Sequence, residues 1–272
     1  MTTFEIRDAA QPIGRNVGRL VGYLFYYEKA KRFYTELISE LDEWEAPAMF
    51  YGQVKRGIYS IDSKWSMKWV RQRIIPAERQ NIGMILKENG LKAYDEYKLL
   101  CLSEGRCAQD EGYIVKIESE HIAPEIQKRL QKKVADVLPL QDNHVSVFFK
   151  DGNTRNIDAG QMLGEQNAFC RVLREPAIFD RVKVSPGGNG IEWDEDRSVM
   201  AETLYDTGEA IGIGYDDLLR YANKRLVDTT EACTLLHVSR QYINQLVKQG
   251  RLNPVLSGEK GRIFLRAELE EM

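Results

Sequence analysis

The sequence predicts an α+β, multidomain protein: an N-terminal α/β or mainly helical domain, a small hairpin-rich α+β middle domain, and a C-terminal helix-turn-helix with a two-stranded wing. Three observations predict it. The chain has 272 residues, more than one compact domain usually holds. Its middle third alternates apolar and polar residues around Asp-Gly and Gly-rich turns, the signature of hairpins. From Leu226 onward, two short apolar stripes at helical spacing are followed by two alternating segments. The expected domains are residues 1–121, 134–214 and 226–272.

Within 1–121, the run GRNVGRLVGYLFYYEKAKRFYTEL has apolar residues at Val17, Leu20, Val21 and Leu24 and aromatics at Phe25, Tyr26, Phe33 and Tyr34. Either a strand-helix unit or one long helix satisfies that pattern. Gly14, Gly18 and Gly22 recur every fourth residue, a spacing that allows close packing. From Ser63, the text SKWSMKWVRQRIIPAERQN sets Trp65 and Trp69 one helical turn apart among Lys64, Lys68, Arg71 and Arg73. An amphipathic helix with inward tryptophans, ended by Pro76, is the expected form; bases interleaved with aromatics are also what nucleobase stacking would use. Residues 81–97 read as helix, 99–102 and 113–117 as strands, and 103–106 as a turn. The charged segment PEIQKRLQKK, Pro124 to Lys133, reads as a helix linking this domain to the next.

In the middle domain Val145, Val147 and Phe149 alternate with polar neighbours before Asp151-Gly152, and residues 154–158 form the returning strand. A second hairpin joins 182–185 to 191–193 through Gly187-Gly188-Asn189-Gly190. Those glycines lie between strands, not between a strand and a helix, so they do not read as a phosphate cradle. Trp193 and Tyr205 read as core aromatics. With VxFxDG at Val147 to Gly152, LREPAIFDRVKV at Leu173 to Val184, and GGNGIEW before Glu202 to Tyr205, this segment resembles the bacterial domain-of-unknown-function family 2442. That family is often encoded beside another small protein in toxin-antitoxin-like gene pairs. The resemblance implies a fold and carries no catalytic residues.

The C-terminal unit is the most legible. Asp228 and Glu231 have the spacing of a capping box, so a helix begins there with Ala232, Leu235 and Leu236 on its apolar side. His237-Val238 interrupts it, and Ser239 caps a second helix. In that helix Tyr242, Ile243, Leu246 and Val247 share one face, leaving Arg240, Gln241, Asn244, Gln245 and Lys248 outward; Gly250 sits at a C-cap position. Residues 252–256 and 262–265 then alternate like strands around Ser257 to Gly261. The stretch TEACTLLHVS, Thr230 to Ser239, with the step Gly250-Arg251-Leu252 and the short wing, resembles the excisionase and MerR-type winged helix family. Cys233 stands where that family usually has a second Ala, and Asn253-Pro254 is less basic than many wings. The resemblance implies double-stranded DNA as partner. Arg240, Gln241, Asn244 and Gln245 suit base reading, and Ser239, Lys248, Lys260 and Arg262 suit phosphates.

Charge agrees with a confined DNA surface. The whole chain carries a formal net charge of -3, which excludes a general electrostatic grip on nucleic acid. Between Arg240 and Arg266, however, Arg240, Lys248, Arg251, Lys260, Arg262 and Arg266 face Glu259 as the only acid. Apolar content is 43%, and no stretch approaches the ~18 apolar residues needed to cross a bilayer. The start, MTTFEIRDAAQP, has neither a basic opening nor an apolar run, so the cytoplasm is the expected location.

The common catalytic signatures are absent from the sequence. There is no GxSxG elbow, no Walker-type loop and no HExxH. Cys101, Cys107, Cys170 and Cys233 are scattered, and His121, His144 and His237 do not stand at metal-ligand spacing from them. The acidic run Glu192, Asp194, Glu195 and Asp196 has oxygen ligands for a divalent cation, but solvated charge at a hairpin edge is its ordinary explanation. Neither an enzyme, a cofactor nor a metal is expected. Two function classes follow. The first is a bacterial DNA-binding regulator, autorepressing or antitoxin-type, acting as a homodimer with a cognate toxin-like or other protein partner. The second is a protein-interaction module that neutralises or scaffolds its partner without DNA.

Overall fold

The computed structural model describes residues 1–13, 17–164, 166–259, 261–270 and 272. They form two compact units: residues 1–151 with 155–209, and residues 152–154 with 210–272. The fold class is α+β, as the sequence predicts.

The first unit opens with an antiparallel five-stranded sheet of order β4-β3-β2-β1-β5. Its strands are β1 (Thr2–Ile13), β2 (Val17–Tyr27), β3 (Arg32–Leu37), β4 (Ser60–Ile61) and β5 (Gly112–Ile117). The helices α1 (Tyr51–Val54), α2 (Ser63–Arg71), α3 (Ile82–Glu88), α4 (Glu96–Ser103) and α5 (Pro124–Gln131) accompany it. Phe4, Leu24, Tyr26 and Phe33 pack on one face against Trp69, Leu99 and Leu100. Tyr23 and Phe25 point to the other face and meet Ile122 and Ile126.

Covering both faces explains why residues 17–37 are two strands and neither a strand-helix unit nor a long helix. A strand buried on both sides loses the alternation that marks a one-sided strand, and its continuous apolar run reads equally as a buried helix. The glycines do serve close packing, but between strands. A Cβ on Gly22 would lie 2.5 Å from the Glu36 carbonyl oxygen, and one on Gly18 would lie 2.5 Å from that of Asp8. Gly14 lies outside the described residues.

Other readings shift for local reasons. The predicted strand 99–102 is part of α4, because the Asp95 carboxylate accepts the Lys98 backbone N–H at 3.0 Å and starts a helix there. The predicted helix 81–97 breaks into α3 and α4 around Asn89 and Gly90. Helix α2, capped by Asp62, ends at Arg71, before Pro76. Trp69 is fully buried, whereas Trp65 stays part-exposed beneath Lys68, whose Nζ lies 4.1 Å from the ring centroid. Helix α5 is no free link: Ile126 is buried against the sheet and Arg129 reaches Glu36 at 3.0 Å.

The rest of this unit holds β6 (Val134–Pro139), β7 (His144–Phe149), β8 (Thr154–Asp158), α6 (Ala159–Leu163), α7 (Cys170–Arg174), α8 (Pro176–Phe179), β9 (Lys183–Val184), β10 (Gly190–Glu192), β11 (Ser198–Met200) and α9 (Ala201–Thr207). Both expected hairpins are present, β7 with β8 and β9 with β10. Val145, Val147, Phe149, Val172, Ile191 and Leu204 build its core. Trp193 joins them and donates its indole N–H to the Phe179 carbonyl at 2.9 Å. Tyr205 packs at the edge with its hydroxyl on Asp151 at 2.8 Å.

The acidic run is engaged by cations. Glu192 pairs with Arg32 and Lys183, Glu195 with Arg32, Asp196 with Lys64 and Asp194 with Arg197. Among the described residues no cluster of His, Cys, Asp and Glu could hold a metal ion.

Burial, and next the charge of Glu36, hold the Glu202 carboxyl above the usual carboxylate range. A carboxyl raised in the folded state favours folding when protonated, so its ionised form destabilises once pH exceeds the raised value. Glu202→Gln is therefore expected to raise the melting temperature at neutral pH and to leave it unchanged below about pH 3, well under the unfolded value of about 4.3, where the acid is neutral both folded and unfolded. A pH-independent melting difference would contradict this account.

Candidate nucleic-acid interface

The second unit carries β12 (Glu209–Ile211), α10 (Tyr215–Arg225), β13 (Leu226–Asp228), α11 (Thr229–Leu236), α12 (Arg240–Lys248), β14 (Leu256–Gly258), β15 (Gly261–Leu265) and α13 (Arg266–Glu270). Asp228 accepts the backbone N–H groups of Thr230 at 2.7 Å and Glu231 at 2.8 Å, while Glu231 reaches back to the Asp228 N–H at 3.2 Å. That reciprocal box fixes the start of α11. Its end is set by His237, which adopts the left-handed conformation and turns the chain sharply. Ser239 then accepts the Tyr242 N–H at 3.3 Å and starts α12.

Helix α12 is seated by Ile243 and Leu246, which are buried with Val227, Ala232, Leu252 and Phe264. It stops because Gly250 adopts φ +67°, which lets the Arg251 N–H bond the Leu246 carbonyl at 3.0 Å. Two expectations change here. Tyr242 is 43% exposed instead of joining the apolar face, since this small core closes around Ile243 and Leu246. The first strand of the terminal hairpin is β14 alone, starting at Leu256, because Leu252 is drawn into the core and Asn253 bonds Glu268 at 2.9 Å. Strand β15 pairs with β14 on one side and with β13 on the other.

The four residues expected to read bases come together on α12. Arg240, Gln241, Asn244 and Gln245 are all exposed, as is Lys248 one turn further along. Ser239 sits at the helix start with its oxygen on the cap, leaving its hydroxyl proton to donate. Arg262, on β15, donates from Nη1 to the Asn244 side-chain oxygen at 2.6 Å. A residue assigned to phosphate and a residue assigned to bases are thus joined before any ligand arrives. The bond occupies the Asn244 carbonyl and leaves its NH2 as the outward donor. Lys260 lies outside the described residues. Among the described residues none of Arg240, Lys248, Arg251 or Arg262 forms an ion pair, so the positive charge around α12 is uncompensated by neighbouring acids. Tyr242, in the first turn of α12, is the exposed neighbour that sequence periodicity assigned to the core.

Comparison with known families agrees with this geometry. Residues 226–272 match a family described as a helix-turn-helix domain. That segment is therefore similar to helix-turn-helix domains. Residues 134–224 match a family described as a protein of unknown function (DUF2442), which spans most of the second half of the first unit and reaches into α10. No curated protein matches the chain. One solved structure aligns with it, a Nitrosomonas europaea protein called a "putative DNA binding protein": it is 18% identical, covers 45% of this chain and 79% of its own, and has a TM-score of 0.26. Among the described residues no helix is long and apolar enough to cross a membrane.

Proposed function

We propose that this chain is a bacterial DNA-binding regulator that reads double-stranded DNA through α12, with the β14–β15 hairpin acting as the wing of a winged helix. The observation that carries the reading is the row of exposed Arg240, Gln241, Asn244 and Gln245 on a helix held by Ile243 and Leu246, flanked by Lys248, Arg251 and Arg262, which have no acidic partner among the described residues. Long donors and amides match base edges, and unpaired cations match phosphates. Ser239, Lys248, Lys260 and Arg262 take the phosphate role, Arg262 also presenting Asn244. Tyr242 adds a hydroxyl beside them.

The finer reading is an autorepressing or antitoxin-type regulator. It draws support from the middle domain's resemblance to a family encoded in toxin-antitoxin-like pairs, and it implies a protein partner for the first unit. A single helix-turn-helix with few cations binds weakly, and two half-sites multiply affinity, so the working form is a homodimer in the cytoplasm. No catalysis, cofactor or metal enters this reading.

Fluorescence anisotropy of the full chain on DNA from its own upstream region, against a scrambled control, tests it. Arg240→Ala and Asn244→Ala are each expected to weaken specific binding by about 1–3 kcal/mol. The logarithm of affinity should fall with the logarithm of salt by about one unit of slope per phosphate contact. Equal, salt-insensitive binding to both DNAs would retire the regulator in favour of a protein-interaction module.

A further inference from the structure

The first unit contains a cleft that the DNA reading does not use. It is lined from α1, β4 and the first turn of α2 on one side and from β11 and α9 on the other, and it holds about 400 Å³, a size that suits a small molecule. Ile58, Trp65 and Met200 give it apolar walls, whereas Asp62, Glu202 and Asp206 give it carboxylates.

Those carboxylates have no counter-charge of their own. Among the described residues none of Asp62, Glu202 and Asp206 forms an ion pair. One Asp62 oxygen caps α2 by accepting the Trp65 N–H at 2.8 Å. Glu202 and Asp206 stand four residues apart on α9 and so share one of its faces. The cations around Glu202 are committed elsewhere: Arg129 and Lys133 are bonded to Glu36, and Lys132 lies over the Tyr205 ring at 4.7 Å. Among the described residues Arg56 is the one cation on the cleft wall; it is exposed and donates its Nε to the Gly52 carbonyl at 2.9 Å. Three acids against one base leave the walls negative.

A second observation points to a ligand. Gln53, on α1, is 6% exposed, yet its side-chain amide has no hydrogen-bond partner. Its backbone carbonyl is taken by the Arg56 and Ile58 N–H groups at 3.0 and 2.9 Å, so the amide is what this residue has left to offer. Unlike the sealed polar atoms of the interior, the amide oxygen and nitrogen remain within reach of water, and the cleft is the opening that Gln53 lines. Burial of the stem holds an open acceptor in a negative cleft.

The chemistry of these walls selects the ligand. Carboxylates and an amide oxygen accept, and an ammonium supplies three donors and no acceptor. A metal ion needs ligands that converge more closely, since among the described residues no cluster of His, Cys, Asp and Glu could hold one. The Ile58, Met200 and Trp65 walls suit an alkyl chain behind the charge. Burial and Glu36 hold the Glu202 carboxyl above its usual range, and a cation beside it would favour its ionised form.

We propose that this cleft is a binding site for a small alkylammonium ion, whose N–H groups donate to the Glu202 and Asp206 carboxylates with the Gln53 amide oxygen as a further acceptor. The site stands on these residues alone and does not depend on DNA binding.

The test is isothermal titration calorimetry of the full chain at low salt, where exposed charges are least screened. The probes are butylammonium, butan-1-ol, butyrate and magnesium ion. Butylammonium is expected to bind saturably, with about tenfold weaker binding of each of the other three. Glu202→Gln, Asp206→Asn and Gln53→Met are each expected to weaken butylammonium about threefold to fivefold. Glu88→Gln, an exposed acid on α3, serves as the control and is expected to leave it unchanged. Misfolding cannot imitate the result, because Glu202→Gln is expected to raise the melting temperature while it lowers binding. Absence of butylammonium binding, a preference for magnesium ion, or equal binding of butan-1-ol would overturn the proposal. So would the same loss in Glu88→Gln as in the cleft variants, which would mean attraction to the acidic chain as a whole.

Discussion

Glu36→Ala is expected to destabilise the first unit by about 3–5 kcal/mol, the range found when one member of a buried ion pair is removed. Glu36 is 1% exposed, yet it carries a full set of partners. Its carboxylate receives Lys133 Nζ, Arg129 Nη1 at 3.0 Å and the Ser60 hydroxyl at 2.7 Å. Lys133 is itself buried, so losing the carboxylate strands an ammonium where water does not reach. Paired replacement separates that penalty from the net worth of the interaction. Glu36→Leu combined with Lys133→Met should cost far less than Glu36→Ala alone, because the buried charge goes with its partner. Denaturant unfolding of the full chain, followed by tryptophan fluorescence, measures both. A loss under about 1 kcal/mol for Glu36→Ala would mean that Lys133 finds water or another acceptor.

That node also marks where sequence reading stops. Glu36 lies within RFYTELI, where nothing distinguishes it from an ordinary outward acid on a strand, and Lys133 is 97 residues away. The same holds for the sheet around it. Caps, turns and one-sided amphipathicity are written over three to five residues, which is why the Asp228–Glu231 box, the Ser239 cap and the Gly250 stop could be read directly. Strand β2 is written by tertiary context: helices cover both of its faces, and its apolar run does not say which period it follows. Helix α5 was legible as a helix and illegible in its role, because the buried Ile126 and the paired Arg129 depend on strands β2 and β3, more than eighty residues earlier. In the candidate interface the residue types and the helix were legible, whereas the Arg262–Asn244 bond, joining a strand to a helix, was not.

Leu246→Ala is expected to abolish specific DNA binding by a route different from Arg240→Ala. Leu246 is 1% exposed in the small core that seats α12 on Ala232, Leu252 and Phe264. Truncating a buried leucine costs about 2–5 kcal/mol through lost transfer energy and the cavity left behind. A core of this size supplies only about 3–5 kcal/mol in all, so most of the local stability would go and α12 would cease to be a fixed platform. Amide exchange should show it: α12 protection collapses in Leu246→Ala, while in Arg240→Ala it is unchanged even though affinity falls. Val247→Ala, half-buried on the same helix, serves as the graded control and should lose far less. If α12 kept its protection in Leu246→Ala and specific binding survived, the helix would be held by contacts other than this core. The alignment of Arg240, Gln241, Asn244 and Gln245 would then need a different physical cause.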